Sequence, residues 1–210
     1  MANNNVIQFF NHIKKNVKLQ TEFSLKNLAE LVYHAKILGY NFSPEELIST
    51  VGEKEIEIMK ERKEEFNSRF SLWIPMWGKY FFMWVLEDVI GKAKIESFNT
   101  NVKSINRTGV IDFFNSIKDN ICITNYLRTK SDYEIVKFAE KLKYKFTVAD
   151  LTDIVWEMEI FLSKKINEKF DETFSLWKTM WGKFYFDYII ENIIKALTEE
   201  EMFKIAMNKI

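Results

Sequence analysis

Two ten-residue segments of the chain hold the side chains best suited to a binding site. Residues 70–79 read FSLWIPMWGK, and residues 174–183 read FSLWKTMWGK. In each copy the tryptophans offer apolar ring faces with one N–H donor, and the lysine offers a cationic head group. The sequence therefore predicts binding residues at matched positions of the two segments: Trp73, Trp77, Gly78, Lys79, Trp177, Trp181, Gly182 and Lys183.

The aromatic residues of these segments are also typical of a packed core, since large apolar side chains at helical spacing are usually buried. Packing alone does not explain the two lysines. Lys79 and Lys183 can each extend to solvent, pair with a carboxylate such as a glutamate shared by both copies, or bind an anionic group of a partner. The sequence leaves these alternatives open.

Glutamates at matched positions of the two copies are the remaining polar candidates. Glu30 and Glu134 each follow a capping residue by three positions, so they are expected to complete capping boxes at helix N-termini. Because carboxylates are seldom fully buried, the other shared glutamates are expected to be exposed or ion-paired. These are Glu53 with Glu157, Glu55 with Glu159, and Glu87 with Glu191.

No set of residues in the sequence forms a recognisable catalytic or metal centre. His12 and His34 have no histidine at the matched position of the other copy, and no His-Cys cluster occurs. Cys122 has no nearby histidine that would activate its thiol. The sequence therefore predicts no catalytic residue, no metal and no cofactor, and it favours a protein that is not an enzyme without deciding the matter.

Charge and composition argue against several classes of protein. Thirty Lys and Arg balance thirty Asp and Glu, so no basic surface predicts binding to nucleic acid. The most apolar run, residues 80–86, is too short to span a bilayer. A single cysteine and the lack of a charged and then apolar leader favour a reducing, cytoplasmic location.

Helical periodicity dominates the chain, and only two prolines and six glycines interrupt it. We therefore predict an all-α protein. Five elements are predicted for the first copy: a helix over 6–17, a turn over 19–24, a helix over 27–38, a long helix over 43–66, and an aromatic helix that carries the repeated segment to about residue 95. Short fifth helices are predicted after Ile95 and Thr198, the second with a capping box.

The match between the two copies extends far beyond the ten-residue segments. Phe9 and Phe10, for example, recur as Phe113 and Phe114 in the same register, and no insertion or deletion is needed. The sequence therefore predicts a tandem duplication of a four- to five-helix unit that forms a pseudo-two-fold helical bundle. The predicted divisions are a first repeat over 1–95, a linker with a short helix over 96–109, and a second repeat over 110–210.

The two aromatic helices are expected to lie at the centre of their repeats, because apolar residues surround most of each helix. A glycine inside a helix costs about 1 kcal/mol relative to alanine. Close contact between the two helices at Gly78 and Gly182 would explain why both copies have one there, and duplicated units often share such a self-complementary interface.

Residues 39–47 read GYNFSPEEL and follow the apolar positions Leu28, Leu31 and Ala35. This stretch, with Phe9 and Phe10 before it, resembles the Nif-eleven domain, a family named from nitrogen-fixation gene neighbourhoods. The resemblance covers residues 6–50 and, less closely, 110–154. It implies a small helical module, often the leader of a peptide natural-product precursor that modifying enzymes grip. The chain lacks the Gly-Gly or Gly-Ala cleavage site and the short core peptide of such a precursor.

Two functions are consistent with these observations. In the first, the protein is a non-catalytic helical module that recognises a protein or peptide partner, in peptide natural-product modification if the resemblance holds. In the alternative, the aromatic helices enclose an apolar small molecule or cofactor, since tryptophans can line a cavity as well as fill one. Homo-oligomerisation is left open.

Overall fold

The computed structural model describes residues 4–92, 104–171 and 173–208. Within these ranges the chain is an all-α helical bundle without a β-strand, which confirms the prediction of an all-α protein. Of the helices described, none combines the length and the apolar composition that crossing a bilayer requires.

Eleven α-helices follow one another along the described residues. The first five are α1 (Asn4–Ile13), α2 (Val17–Ser24), α3 (Leu28–Ile37), α4 (Pro44–Arg62) and α5 (Phe81–Trp84). The other six are α6 (Arg107–Ile117), α7 (Ile121–Leu127), α8 (Asp132–Lys141), α9 (Val148–Lys165), α10 (Tyr185–Tyr188) and α11 (Glu199–Ala206). A 3-10 helix precedes α5 and α10, at Ser71–Met76 and Ser175–Met180, and a π-helical turn follows them, at Val85–Val89 and Ile189–Ile193.

The predicted helix starts are confirmed by their capping hydrogen bonds. The Asn27 side chain accepts from the backbone N–H of Glu30, whose carboxylate in turn accepts from the N–H of Asn27. The same reciprocal pair joins Ser131 and Glu134 at the start of α8. The helix predicted after Thr198 is also present as α11, with its capping box. Most of the predicted linker, with its short helix, lies outside the described residues.

Two boundaries differ from the prediction. The segment expected to be a turn, residues 19–24, belongs to helix α2. The Asn16 side chain caps the start of this helix, and the helix buries only Phe23 and Ser24. So small a buried face gives almost no periodic signal in the sequence. The long helix α4 ends at Arg62 instead of near residue 66, because Lys63 adopts a left-handed conformation with φ of 58°.

The prediction of a continuous aromatic helix is wrong. The chain forms a 3-10 helix, turns sharply at Gly78 or Gly182, and only then enters α5 or α10. The two glycines have φ of 81° and 82°, a left-handed conformation that no helix interior contains and that glycine adopts without a steric penalty. They are therefore turn residues, and the indoles before them do not continue the stripe of the following helix.

The two repeated segments contact each other through their backbones. The N–H of Phe81 donates to the carbonyl of Lys183 at 2.9 Å, and the N–H of Tyr185 donates to the carbonyl of Lys79 at 3.1 Å. Between these bonds the rings of Tyr80 and Phe184 lie 3.9 Å apart, centroid to centroid. This reciprocal contact brings the elements on either side of the turns together and positions the site described next.

Candidate functional site

In each repeated segment the indole N–H of a tryptophan donates a hydrogen bond to the carboxyl group of a glutamate in a neighbouring helix. Trp73 Nε1 donates to Glu55 Oε1 of α4, and Trp177 Nε1 donates to Glu159 Oε1 of α9, each at 3.1 Å. In both cases the tryptophan follows the glutamate by 18 residues. The prediction that these two glutamates are exposed or ion-paired is therefore wrong. Glu159 is only 4% exposed, and Glu55 is partly buried.

The two Trp–Glu pairs lie on the walls of one cavity of about 60 Å³. Apart from the two carboxyl groups, its lining is almost entirely aromatic or made of methionine. The residues are Glu55, Trp73, Met76, Phe81, Trp84, Trp156, Glu159, Trp177, Met180 and Tyr185. Residues from α4, α9 and both repeated segments therefore share this space.

Two smaller cavities of about 30 and 40 Å³ adjoin the central one, because they share wall residues with it. The first lies on the side of Glu159 and is lined in addition by Trp77; the second lies on the side of Glu55 and is lined in addition by Trp181 and Lys178. All six tryptophans of the chain thus line the three cavities, which we call the aromatic cavity.

Matched positions around the aromatic cavity differ in several places, so its two sides are not equivalent. Trp156 in α9 stands where α4 has Gly52, and the Trp156 ring packs 5.0 Å from that of Trp73. Tyr188 stands where the first copy has Trp84, and its hydroxyl donates to Glu159 at 2.6 Å. Glu159 consequently has two hydrogen-bond donors, whereas Glu55 has one described donor.

Burial raises the pKa of both carboxyl groups to about 7, from an ordinary value of 4.5. The desolvation of the charged form outweighs the hydrogen bonds from Trp73, or from Tyr188 and Trp177, which lower the pKa. The pKa of the Tyr185 and Tyr188 hydroxyls is raised well above 10 for the same reason, so both are neutral. Near neutral pH each glutamate can therefore gain or lose a proton inside an aromatic enclosure.

The repeated lysines lie outside the aromatic cavity, in ion pairs. Lys79 Nζ is 2.8 Å from carboxylate oxygens of both Glu87 and Asp88, and Lys183 Nζ is 2.6 Å from Glu191. Of the three alternatives that the sequence leaves open, pairing with a shared glutamate is the one observed. This also confirms the expected ion pairing of Glu87 and Glu191.

The other shared glutamates follow the expectation as well. Glu53 is exposed, and Glu157 forms an ion pair with Arg107. Cys122 is exposed and lines none of the three cavities. Within the ranges that the structure describes, no group of His, Cys, Asp or Glu has an arrangement that could hold a metal ion.

The predicted binding residues thus divide into two sets. Trp73, Trp77, Trp177 and Trp181 line the aromatic cavity. The glycines and lysines of the same segments form the turns and ion pairs beside it. Trp156 was missed because its matched residue is a glycine, and no repeat marks it.

Comparisons of the chain with protein-family models, with curated proteins and with solved structures found no match.

Replacing the two lysines separately is expected to give unequal losses of stability. In Lys79→Met the Asp88 carboxyl, which is 3% exposed, loses its ion-pair partner, and a buried group left without its partner costs about 1–3 kcal/mol. In Lys183→Met the matched acceptor is the neutral amide of Asn192 and the ion pair with Glu191 is exposed, so the loss should stay below about 1 kcal/mol. Urea unfolding followed by circular dichroism measures both, and equal losses would contradict this account.

Proposed function

We propose that this protein is a non-catalytic binding protein that takes a small, largely apolar ligand into the aromatic cavity. The observation that carries the proposal is the position of the tryptophans: all six line three adjoining cavities, and the carboxyl groups of Glu55 and Glu159 lie in the same walls. Binding sites for small molecules typically combine aromatic walls with a few polar groups that fix orientation.

A packed core is a poorer explanation of this arrangement. Protein interiors are close-packed, so side chains that served only as a core would be expected to fill this space. Burying two carboxyl groups also carries a cost, because the charged form is disfavoured in an apolar enclosure. A larger residue at Met76 or Met180 would reduce the empty space, yet methionine, a flexible side chain common at adaptable binding surfaces, is present at both positions.

Binding is favoured over catalysis because the described lining of the central cavity, made of glutamate, tryptophan, methionine, phenylalanine and tyrosine, offers no serine, cysteine or histidine nucleophile. The two glutamates can exchange protons near pH 7, but general acid–base groups need a reacting partner to act upon.

We also propose, as the sequence predicts, that the chain is a tandem duplication with an approximate two-fold axis. The matched backbone angles of Gly78 and Gly182, the reciprocal hydrogen bonds between the repeated segments and the paired Trp–Glu contacts support it. The resemblance to the Nif-eleven domain, the protein or peptide partner that it implies, and the cytoplasmic location stay predictions, and a pull-down from native extract tests the partner.

The cavity proposal predicts that small compact molecules bind and change the tryptophan fluorescence. We expect 3,3-dimethyl-1-butanol, its cationic isostere choline, or both, to bind, and Met76→Phe or Met180→Phe to weaken that binding about tenfold by filling the space. Fluorescence titration and ligand-observed NMR measure the affinity. Met207→Phe is the matched control, because Met207 is exposed and lines none of the cavities. If neither compound binds, or if the cavity variants bind like the control, the proposal fails.

A further inference from the structure

We infer that the ligand of the aromatic cavity is a small organic cation, an ammonium group with short alkyl substituents, held between the carboxylates of Glu55 and Glu159 and the surrounding indoles. This inference rests on the proposed function and adds the charge and chemical class of the ligand. Four features of the cavity lead to it: its uncompensated charge, its free acceptor atoms, its aromatic walls and its size.

The charge of the cavity is negative whenever its carboxyl groups ionise. The central cavity has two carboxyl groups and no lysine, arginine or histidine in its described lining. In the adjoining cavities the described lining adds one cationic residue, Lys178, an exposed residue on the side of Glu55. Glu159, which is more deeply buried, has no cationic neighbour among the wall residues described. In its ionised form a buried carboxylate is stabilised by a partner of opposite charge, and a cationic ligand would supply it.

Each carboxyl group also has an acceptor atom left for a ligand. The indole of Trp73 donates to Oε1 of Glu55, and the donors Trp177 and Tyr188 both bond to Oε1 of Glu159. No described residue donates a hydrogen bond to the Oε2 atom of either glutamate. An ionised carboxylate offers about four acceptor positions, so each side chain has lone pairs left that can face the positive charge of an alkylammonium group or accept a hydrogen bond from a hydroxyl group attached to it.

The walls suit a cation as well as an apolar group. Four indoles line the central cavity, and tryptophan is the side chain whose ring face attracts cations best. The rings of Trp73 and Trp156 lie 5.0 Å apart at an angle of 37°, so the two indoles form one continuous stretch of the aromatic wall. Aromatic enclosures of this kind recognise alkylated ammonium groups, whose charge is spread over methyl groups that pack against the rings.

The size of the cavity limits the ligand to a compact head group. One water molecule needs about 10–15 Å³ of the same kind of space, so about 60 Å³ holds roughly four to six non-hydrogen atoms. A trimethylammonium group with one further carbon has five. A larger substituent would have to extend into one of the two adjoining cavities.

The titratable groups around the two glutamates indicate how binding should depend on pH. Tyr185 and Tyr188 stay neutral throughout the accessible range, and Lys178 is exposed. Among the residues described in the walls of the cavity, Glu55 and Glu159 are therefore the carboxyl groups that change charge near pH 7. A cation favours their ionised form, so we expect its binding to release protons near pH 7 and to weaken below pH 6.

The experiment compares choline with 3,3-dimethyl-1-butanol, which has the same shape without the charge, by isothermal titration calorimetry at pH 8 and pH 5.5. We expect choline to bind at least tenfold more tightly than the alcohol at pH 8, and this preference to shrink at pH 5.5. Titrations at pH 7 in two buffers of different ionisation enthalpy should show proton release with choline only.

Two variants test the carboxylates directly. Glu159→Gln keeps an acceptor oxygen for Trp177 and Tyr188, and should reduce choline affinity at least tenfold while leaving the affinity for the alcohol unchanged. Glu55→Gln provides the same comparison on the other side of the cavity if the first variant does not fold. Glu199→Gln is the control, because Glu199 is exposed and lines none of the cavities.

The outcomes separate the two proposals. Equal affinity for choline and the alcohol, unaffected by either glutamine variant, would overturn the cation and leave the cavity as an apolar binding site. Absence of binding by both compounds would instead remove the proposed function on which the inference rests.

Discussion

Gly182→Ala is expected to lower the free energy of unfolding by about 2–5 kcal/mol. Gly182 has φ of 82°, where an L-residue with a Cβ is strained by about 1–2 kcal/mol. The added Cβ would also lie 2.9–3.0 Å from the backbone of Lys26 and Asn27, just before helix α3. Backbone atoms cannot move aside as a flexible side chain can, so overpacking adds about 1–3 kcal/mol. Urea unfolding followed by circular dichroism measures the loss.

Gly39→Ala is the matched control for this prediction. Gly39 also has a positive φ, of 91°, but a Cβ there would meet no atom within 4 Å, so only the strain is expected. The second copy has Lys143 at the matched position with φ of 74°, which shows that a larger residue is tolerated there. If Gly182→Ala and Gly39→Ala cost the same, the close approach of Lys26 and Asn27 does not matter to stability.

The sequence explains Gly182 and its counterpart Gly78 only in part. Two copies of a glycine in an apolar segment signal a special requirement, and close contact with another part of the chain was expected. The contact exists, but it is made with backbone at the start of α3 and, for Gly78, with Thr129 and Lys130 before α8. The other glycine does not provide it. Apolar residues that recur about every 3.6 positions do not distinguish a continuous α-helix from a 3-10 helix followed by a turn.

The helices that begin with a capping box could be predicted well, because a cap is a local event. The residues that form it lie within three positions of each other, as Ser43 and Glu46 do, and their chemistry is the same wherever the helix packs. Helix α2 also begins at a local cap, Asn16, but it was not predicted, because its eight residues bury only Phe23 and Ser24 and so give no apolar stripe to recognise.

The sequence predicted four of the tryptophans of the candidate site, but it did not predict that Glu55 and Glu159 belong to the site. Base rates of burial place a glutamate at the surface, and only the fold shows that Trp73 and Trp177 reach Glu55 and Glu159. One signal was available: both copies repeat the same spacing of 18 residues between a glutamate and a tryptophan. A repeated polar residue with a repeated N–H donor at fixed spacing indicates a conserved contact within the two copies.

Glu159→Gln is expected to stabilise the protein at pH 8 by up to about 3 kcal/mol and to leave its stability near pH 4.5 almost unchanged. The pKa of Glu159 is about 7 in the folded state and 4.5 in the ordinary state that represents the unfolded chain. Below pH 4.5 both states are protonated, so burial of this group carries no charge penalty. Between pH 4.5 and 7 the folded state binds more protons than the unfolded state, so stability falls by about 1.4 kcal/mol per pH unit. Above pH 7 the loss is complete.

Urea unfolding from pH 4.5 to 8.5 measures this difference, and circular dichroism is the suitable signal because the substitution alters the surroundings of Trp177. Other carboxyl groups also titrate in this range, among them Glu55, Asp88 and Glu157, whose pKa values are raised by burial. Subtracting the wild-type profile removes the groups common to both proteins. Glu55→Gln should give a smaller change of the same sign, since Glu55 is partly exposed and solvent screens its charge. If the free energy of unfolding changes with pH in the same way in Glu159→Gln and in the wild type, this carboxyl group is solvated in the folded protein and the cavity does not bury it.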